Sequence, residues 1–441
     1  MRMDRVLWGF SCCVSAVLPL AARGQKQIPI RQLGAAEARS KDTVGFLYGV
    51  RETSDGHLLA NDPTNRRLIL FDASLGSFKV VADTTPGTTT PYGARPTTIM
   101  PFRGDSTLFV DVYSHGFVVI APNGASSRVI AAPRANDVGW IANTLTFGQP
   151  GIDPKGRIVY RAYPAYRERD TTASLAENPD SAPIIRGDFE TRTTDTIGLI
   201  AIPAPRMSIK KMSDGRQIGQ LKVNPMSYVD DWALLPDGTV AILRGRDYHL
   251  DWINADGTRA STPKMPFDWR RLTDAEKQAV LDSTKAALEK QRADRIAAAA
   301  SGRGAGGAPV QAMASAGAVA AGGGGGGMGG NDMGPRPGGP PIDMPAPDVV
   351  SLRDLPDYVP PVFKTGTMRA DPSGNIWILP STSSQAAGGL LYDVINRTGE
   401  IFERVRLPQG RALAGFGANG VVYLTAHDAT GTHLERSRIG R

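Results

Sequence analysis

The stretch that decides the fold lies near the N-terminus: Ser54-Asp55-Gly56-His57-Leu58-Leu59-Ala60-Asn61-Asp62, continued after a short loop by Asn65-Arg66-Arg67-Leu68-Ile69-Leu70-Phe71-Asp72. Another apolar run, Gly45 to Val50, precedes it. Short apolar runs separated by a tight turn that ends in glycine are typical of antiparallel hairpins. This part of the chain therefore predicts a small β-meander, in which each apolar run forms one strand.

The same pattern recurs along the chain. An apolar strand follows a glycine turn at five further positions: Gly104, Gly156, Gly238, Gly374 and Gly420. From Gly56 onward the intervals are 48, 52, 82, 136 and 46 residues, so the repeat is close to 50 and two intervals contain insertions. Small antiparallel sheets of this kind cover their apolar faces by stacking radially. We expect an all-β fold, a six-bladed β-propeller that spans residues 25–441.

Two insertions account for the long intervals. The first holds a polar loop, Tyr166 to Ala182, and a linker around Pro203 to Pro225. The second, at about 268–350, begins with Thr273-Asp274-Ala275-Glu276, a capping box that predicts a helix from about Asp274 to Ala300. Its apolar stripe predicts packing on the side of the propeller, or else contact with a partner or the cell envelope. The Gly, Ala and Pro-rich residues 301–347 predict a disordered stretch.

The two ends of the chain are expected to meet in the ring. The last copy of the repeat has room for only three strands, so we expect Gln27 to Ile30 to supply its outer strand. Residues 1–24 are typical of a signal peptide, because Arg2 and Arg5 precede an apolar run from Val6 to Ala22. A retained membrane anchor is the alternative for this run. With cleavage, the mature chain has no membrane span and is exported to a periplasm or outside the cell.

Charge and cysteine content exclude several classes of function. The net charge of +7 is spread along the chain without a basic cluster, so no nucleic-acid partner is predicted. The two cysteines, Cys12 and Cys13, both lie in the predicted signal peptide. The mature chain therefore has no disulfide, no thiolate ligand for a metal and no cysteine nucleophile.

The stretch Ser54 to Asp72 resembles an NHL-type propeller repeat, and Asp371-Pro372-Ser373-Gly374-Asn375-Ile376-Trp377 resembles its opening. The resemblance covers most of the chain outside the insertions. It implies that the loops joining the second and third strands of each blade surround the central channel on one face, where family members commonly bind partners. These loops supply the rim candidates for ligand binding: Asp62, Arg66, Asp111, Tyr113, His115, Arg161, Tyr163, Arg244, Asp247, His249, His427 and Asp428.

Such a mixture of arginine, tyrosine and carboxylate suits a protein, peptide or carbohydrate ligand. The alternative is that these loops are polar because they are hydrated. No nucleophile or phosphate-binding motif is present, so we assign no catalytic residue and predict no cofactor. A divalent metal stays open, since side chains from different blades could share one. The candidates for such a site are Asp62, Asp111, His115, His249 and His427.

The sequence therefore predicts an exported propeller that acts as a binding or interaction scaffold rather than as an enzyme. The alternative is a metal-dependent, lactonase-like hydrolase or lyase with its site in the central channel. A third hypothesis is a structural protein of the cell envelope that uses the Gly and Pro-rich insertion as a tether.

Overall fold

The strands of the computed structural model pair as the repeat predicts. The structure describes residues 28–440, except 86, 88–90, 94–96, 164–179, 204–205, 212–214, 216 and 301–347. The predicted signal peptide, most of the polar loop predicted from Tyr166 and the stretch predicted to be disordered lie outside the described residues. None of the helices that are described is long and apolar enough to cross a membrane.

Six antiparallel blades follow two short strands, β1 (Ile30–Gln32) and β2 (Ala38–Arg39). The strands of blades 1 and 2 are β3 (Gly49–Glu52), β4 (Leu58–Asp62), β5 (Arg67–Phe71), β6 (Phe78–Ala82), β7 (Ile99–Pro101), β8 (Thr107–Asp111), β9 (Gly116–Ile120) and β10 (Ser126–Ala131). Two short helices then lead to blade 3. They are α1 (Val138–Ala142) and α2 (Thr144–Phe147). Blade 3 contains β11 (Gly151–Ile152), β12 (Ile158–Arg161), β13 (Ser181–Gly187) and β14 (Thr194–Ala201).

The second half of the chain repeats this plan around two additions. A hairpin precedes blade 4, namely β15 (Arg206–Lys211) and β16 (Gln217–Val223). Blade 4 contains β17 (Asp231–Leu234), β18 (Val240–Arg244), β19 (His249–Ile253) and β20 (Arg259–Ser261). A long helix and a short strand follow, α3 (Asp274–Ala300) and β21 (Asp348–Val349). Blades 5 and 6 contain β22 (Met368–Ala370), β23 (Ile376–Ile378), β24 (Leu391–Ile395), β25 (Ile401–Arg406), β26 (Arg411–Phe416), β27 (Val421–Asp428) and β28 (Gly431–Arg438).

Apolar side chains fill the spaces between neighbouring blades. Successive residues of a strand point to opposite faces of the sheet. In β4, Leu58 and Ala60 therefore pack against blade 6, while Leu59 packs against blade 2. Because both faces of a blade are covered, its middle strands form nearly continuous apolar runs instead of strict alternation. Full burial of one leucine side chain contributes about 1.5–3 kcal/mol, so these interblade clusters stabilise the ring.

The ring closes differently from the prediction. We expected Gln27 to Ile30 to complete blade 6, but β2 does so by pairing antiparallel with β28 through Ala38 and Arg39. The earlier strand β1 instead runs parallel to β25, on the outer edge of blade 5. The chain therefore passes the edge of blade 5 first, where Arg31 forms an ion pair with Glu403, and reaches blade 6 only afterwards.

The two insertions form one layer, which we call the cap and define as β15, β16, α3 and β21. The linker predicted around Pro203 to Pro225 contains the β15–β16 hairpin, whose regular antiparallel register the sequence pattern did not indicate. Strand β16 pairs parallel with β21, which joins the two insertions. Helix α3 begins as predicted, since Glu276 N donates to Thr273 Oγ1 (3.2 Å) and Thr273 N donates to Glu276 Oε2 (2.8 Å). Its residue Leu281 packs in the cluster that contains Met226, Val350 and Leu355.

The propeller has two distinct faces. The hairpin turns between the first and second strands, and between the third and fourth, lie on one side, which we call the turn face. The loops between the second and third strands, together with the connections between blades, lie on the other side, which we call the loop face. Both parts of the cap leave from connections between blades, so the cap belongs to the loop face.

Candidate functional site

Most of the predicted rim candidates form hydrogen bonds or ion pairs with residues close to them in the fold. Asp62 is fully buried at the end of β4, where it accepts hydrogen bonds from Gly45 N (3.1 Å), Asn65 N (3.2 Å) and Nδ2 (2.7 Å), and Arg67 Nε (3.1 Å). Arg66 has a φ of 50° and donates to the carbonyl oxygens of Tyr92 and Gly93. These interactions fix the local loops of blade 1.

The candidates of blades 2 and 3 behave in the same way, with one exception. Asp111 accepts a hydrogen bond from Tyr113 N (3.0 Å) within its own turn, and Tyr113 is largely exposed. His115 Nδ1 lies 3.3 Å from the carbonyl oxygen of Ala135. Tyr163 stacks on Trp140, with ring centroids 5.0 Å apart. The exception is Arg161, which lies buried at the end of β12 near the central axis.

In blades 4 and 6 the candidates form local ion pairs and hydrogen bonds. Arg244 binds Asp230 (2.6 Å) and Asp251 (2.7 Å), and the latter also lies 3.4 Å from His249. The remaining contacts join Asp247 with Lys264, His427 with Thr432 and Asp428 with Arg39. The described residues, which include all five metal candidates, form no group of three or more His, Cys, Asp or Glu that could hold a metal ion. Asp62, Asp111, His115, His249 and His427 therefore do not converge on one centre.

A different set of residues meets around the central axis, and the sequence pattern did not single most of them out. We call it the inner cluster: Gln149, Arg161, Asp231, Thr367 and Arg369. Asp231 begins the innermost strand of blade 4, and Arg369 lies in the innermost strand of blade 5. Gln149 immediately precedes blade 3 in the connection that contains α2. The inner cluster thus lies on the loop-face side of the channel.

Hydrogen bonds across the axis hold the inner cluster together. Arg369 Nη1 donates to Gln149 Oε1 (3.0 Å), which links blade 5 to the entry of blade 3. Gln149 Nε2 in turn lies 3.4 Å from Thr98 Oγ1, at the entry of blade 2. Arg161 Nη1 donates to the carbonyl oxygen of Thr146 (2.9 Å), and Thr365 Oγ1 donates to the same oxygen (3.1 Å). Side chains from non-adjacent blades therefore share one small volume.

The carboxylate of Asp231 is already fully engaged. Its Oδ2 atom accepts from Thr367 N (2.8 Å), Thr367 Oγ1 (3.1 Å) and Met368 N (2.9 Å), while Oδ1 accepts from Trp232 N (3.0 Å). Asp231 is completely buried, and this burial raises the pKa of its carboxyl above the ordinary value against the effect of these donors. Asp231 therefore joins the first strands of blades 4 and 5, which gives it a structural role.

The two arginines of the inner cluster donate to neutral oxygens, and the guanidinium of Arg161 also lies 5.1 Å from the ring centroid of Phe147. Burial lowers the pKa of Arg161 to about 10, and Asp231 partly opposes that shift, so the guanidinium stays charged at neutral pH. Its Nε atom is buried and has no hydrogen-bond partner within the described part of the chain. Burial also lowers the pKa of Arg369, again opposed by Asp231. Neither arginine forms an ion pair with a described residue, so one buried cation, Arg161, and one half-buried cation, Arg369, share the field of one occupied carboxylate.

Further positive charge lies close by. Lys364 is exposed and lies three residues before Thr367 in the chain, and partial desolvation lowers the pKa of its ammonium group. Asp230, which precedes Asp231 in the sequence, is occupied by Arg244 Nη1 (2.6 Å) and by the backbone N–H groups of Ala201 and Gly245. The inner cluster therefore carries an excess of positive charge.

This arrangement does not suit a divalent metal. A metal ion needs several free carboxylate, amide or imidazole ligands. In the inner cluster the one carboxylate already accepts four hydrogen bonds, and Arg161 and Arg369 would repel a cation. The same groups suit an anion, because guanidinium groups bind carboxylate and other oxyanions through paired hydrogen bonds.

Comparison with known proteins shows no family for this chain. No protein-family model matches the chain, and no curated protein matches it. Among solved structures, it is similar to a gluconolactonase from Xanthomonas campestris, with 9% identity, a TM-score of 0.40 and coverage of 90% of this chain and 88% of that one. It is also similar to an inactive virginiamycin B lyase from Staphylococcus aureus, with 8% identity, a TM-score of 0.37 and coverage of 91% and 98%.

A third structure, the calcium-binding protein regucalcin from Agrobacterium tumefaciens, has 10% identity, a TM-score of 0.36 and coverage of 94% of this chain and 97% of that one. At this level of identity, activity does not transfer with architecture. The six-bladed propeller itself is established by strand pairing in the described residues. The NHL-type resemblance stays a prediction, since no family model matches.

Proposed function

We propose that the protein is a binding propeller that takes up a small oxyanion, such as a carboxylate, at the inner cluster. One observation carries this proposal: Arg161 and Arg369 reach the axis from blades 3 and 5 without an ion-pair partner among the described residues, and the carboxylate they share is occupied. A buried cation without a counter-ion is costly. An anion that reaches both guanidinium groups would supply that counter-ion.

Isothermal titration of the purified protein with succinate and with sulfate tests the proposal. Replacement of a hydrogen bond to a charged group costs about 1.5–3 kcal/mol, so Arg369→Gln and Arg161→Gln should each weaken binding about tenfold or more. The matched control is Arg67→Gln, because Arg67 is paired with Asp62 in blade 1, away from the axis. Circular dichroism of each variant checks the fold. Equal affinity in Arg369→Gln and the parent protein would refute the proposal.

The sequence left a metal-dependent hydrolase or lyase as the alternative, and the names of the neighbouring structures include a gluconolactonase and virginiamycin B lyase. Those names belong to the neighbouring structures, and this chain is similar to them in fold alone. Elemental analysis before and after dialysis against a chelator distinguishes the two proposals. A stoichiometric divalent metal together with lactone hydrolysis would favour the enzyme, while anion binding that survives the chelator would favour the binding propeller.

Export belongs to the same proposal. A binding propeller that acts in a periplasm or outside the cell would lose residues 1–24 during secretion, as the charge and apolar pattern of this segment predicts. N-terminal sequencing of the protein recovered from its native host would give Gln25 as the first residue. Recovery of the intact N-terminus in a membrane fraction would instead favour the retained anchor.

A further inference from the structure

A cleft with a volume of about 230 Å³ lies between blades 2 and 3, where it extends along β10 and is lined by hairpin turns of the turn face. Its floor is apolar and consists of Phe102, Ile130 and Phe189. The ring of Phe189 lies edge-on to Phe102, with centroids 5.9 Å apart, and edge-on to the fully buried Phe117 at 5.6 Å. Contact with a core residue fixes Phe189, so the aromatic floor is preorganised.

The rim of this cleft is cationic. Arg103, Arg128 and Arg192 line it together with one carboxylate, Glu190. Glu190 pairs with Arg103 at 3.2 Å, and Arg192 donates to the carbonyl oxygen of Ala132. Arg128 is exposed in β10, and its guanidinium group forms neither a hydrogen bond nor an ion pair with a described residue. Three guanidinium groups thus face one carboxylate, which leaves an excess of two positive charges.

The cleft is separate from the inner cluster. Phe102 and Arg103 belong to the hairpin turn after β7, and residues 189–192 belong to the turn between β13 and β14. Both turns lie on the turn face, whereas Gln149, Asp231 and Thr367 lie at the loop-face entry of their blades. A ligand in the cleft therefore contacts none of the residues assigned above to anion binding at the axis.

We propose that this cleft binds a small aromatic carboxylate, with its ring on Phe102 and Phe189 and its carboxylate towards Arg128 and Arg192. Aromatic rings favour the edge-on and offset contacts that the floor offers, and guanidinium groups pair with carboxylates. The volume is below the roughly 300–1,000 Å³ of sites for drug-sized ligands, so the occupant has about one ring. A neutral ring would leave the arginines without a counter-ion, and a bare anion would leave the floor in contact with water.

Titration of the full-length Arg369→Gln variant isolates this cleft, because that substitution weakens the proposed site at the axis. Phenylacetate is the probe, with phenylacetamide and acetate as matched controls that lack the charge or the ring. We expect phenylacetate to bind about tenfold more tightly than either control. A further Arg128→Gln substitution should weaken phenylacetate binding about tenfold. Arg353→Gln should leave it unchanged, since Arg353 is an exposed arginine beside the cap.

The possible results of these titrations distinguish the role of the arginines from that of the aromatic floor. Equal binding of phenylacetate and phenylacetamide would overturn the role of the arginines, and equal binding of phenylacetate and acetate would overturn the role of the aromatic floor. An equal loss in the Arg128→Gln and Arg353→Gln variants would reveal a general charge effect and refute the site. Phe189→Leu, which keeps an apolar side chain but removes the ring, should also weaken phenylacetate binding. Because the background already carries Arg369→Gln, failure here leaves the proposal for the inner cluster untouched.

Discussion

Asp62 in blade 1 and Asp231 in blade 4 are both fully buried aspartates, yet their surroundings differ. Asp62 accepts hydrogen bonds from backbone and amide groups and forms an ion pair with Arg67, so its charge is balanced locally. Asp231 accepts four hydrogen bonds from neutral donors, while Arg161 and Arg369 lie within its field but are not paired with it.

The difference teaches how to distinguish a structural carboxylate from part of a binding site. Asp62 and Asp231 are both buried and both polar, so these two properties do not distinguish them. What differs is the number of nearby charges that have no counter-ion among the described residues, and this number supports the proposed anion site at the inner cluster. The charge of Asp62 is balanced by Arg67, whereas two guanidinium groups lie in the field of the one carboxylate of Asp231.

The largest expected effect concerns stability. Asp231→Ala would leave the N–H groups of Thr367 and Met368 without acceptors inside the ring, so we expect a loss of about 3–5 kcal/mol in the free energy of unfolding. Asp62→Ala should cost only about 1–3 kcal/mol, because its partner Arg67 is partly exposed and can be hydrated. Urea denaturation of both variants measures the difference. Equal losses would contradict the distinction between these two aspartates.

The next effect concerns pH. Because burial raises the pKa of Asp231, acidification protonates it earlier than an ordinary aspartate. Protonation removes the negative charge that competes with a bound anion at Arg161 and Arg369. We therefore expect sulfate binding to tighten as the pH falls from 8 towards 4, since sulfate keeps its charge over this range. Titration calorimetry at a series of pH values tests this. The same slope in Asp231→Asn would show that another group is responsible.

A smaller effect compares a buried and an exposed hydroxyl. Thr367→Val removes the bond from Oγ1 to Asp231 inside the ring and should cost about 1 kcal/mol. Thr258→Val removes a similar bond to Asp256 in an exposed hairpin turn and should cost less than about 0.5 kcal/mol, because water replaces it. The midpoints of urea unfolding provide the comparison. A larger cost at Thr258 than at Thr367 would contradict it.

The smallest effect concerns the cleft between blades 2 and 3. Glu190 and Arg103 form a solvent-exposed pair, with side-chain exposures of 77% and 57%, so Glu190→Gln should change stability by less than about 1 kcal/mol. The same substitution removes the one carboxylate of the cleft and should tighten phenylacetate binding. Calorimetry and thermal unfolding of one sample measure both quantities. Weaker binding in this variant would mean that Glu190 contacts the ligand directly.

The repeat made the fold predictable from the sequence. Each glycine turn sits between apolar runs whose faces are covered by neighbouring blades, and this local pattern is enough to count six copies. The capping box at Thr273 and Glu276 likewise predicted the start of α3, because all of its contacts lie within four residues. Strand β2 was missed because its partner β28 is distant in sequence. The hairpin β15–β16 pairs locally, but its strands are too polar to give a clear strand pattern.

The inner cluster was harder to predict than the blades. Arg161 was among the predicted residues because it adjoins a loop between a second and a third strand. Asp231 and Arg369 were missed because they belong to first strands. One signal was available: Arg51 and Arg369 each stand five residues before their turn glycine, Gly56 and Gly374. The remaining contacts, such as Arg369 with Gln149, join blades that are not adjacent, so spacing within one repeat could not reveal them.

A crystal structure of the protein soaked in selenate, a heavy analogue of sulfate, would test the central claim most directly. The account predicts an anomalous peak at the axis, within hydrogen-bonding distance of the guanidinium groups of both Arg161 and Arg369, and loss of that peak in Arg369→Gln. Selenate bound only at exposed arginines, with no peak at the inner cluster, would contradict it.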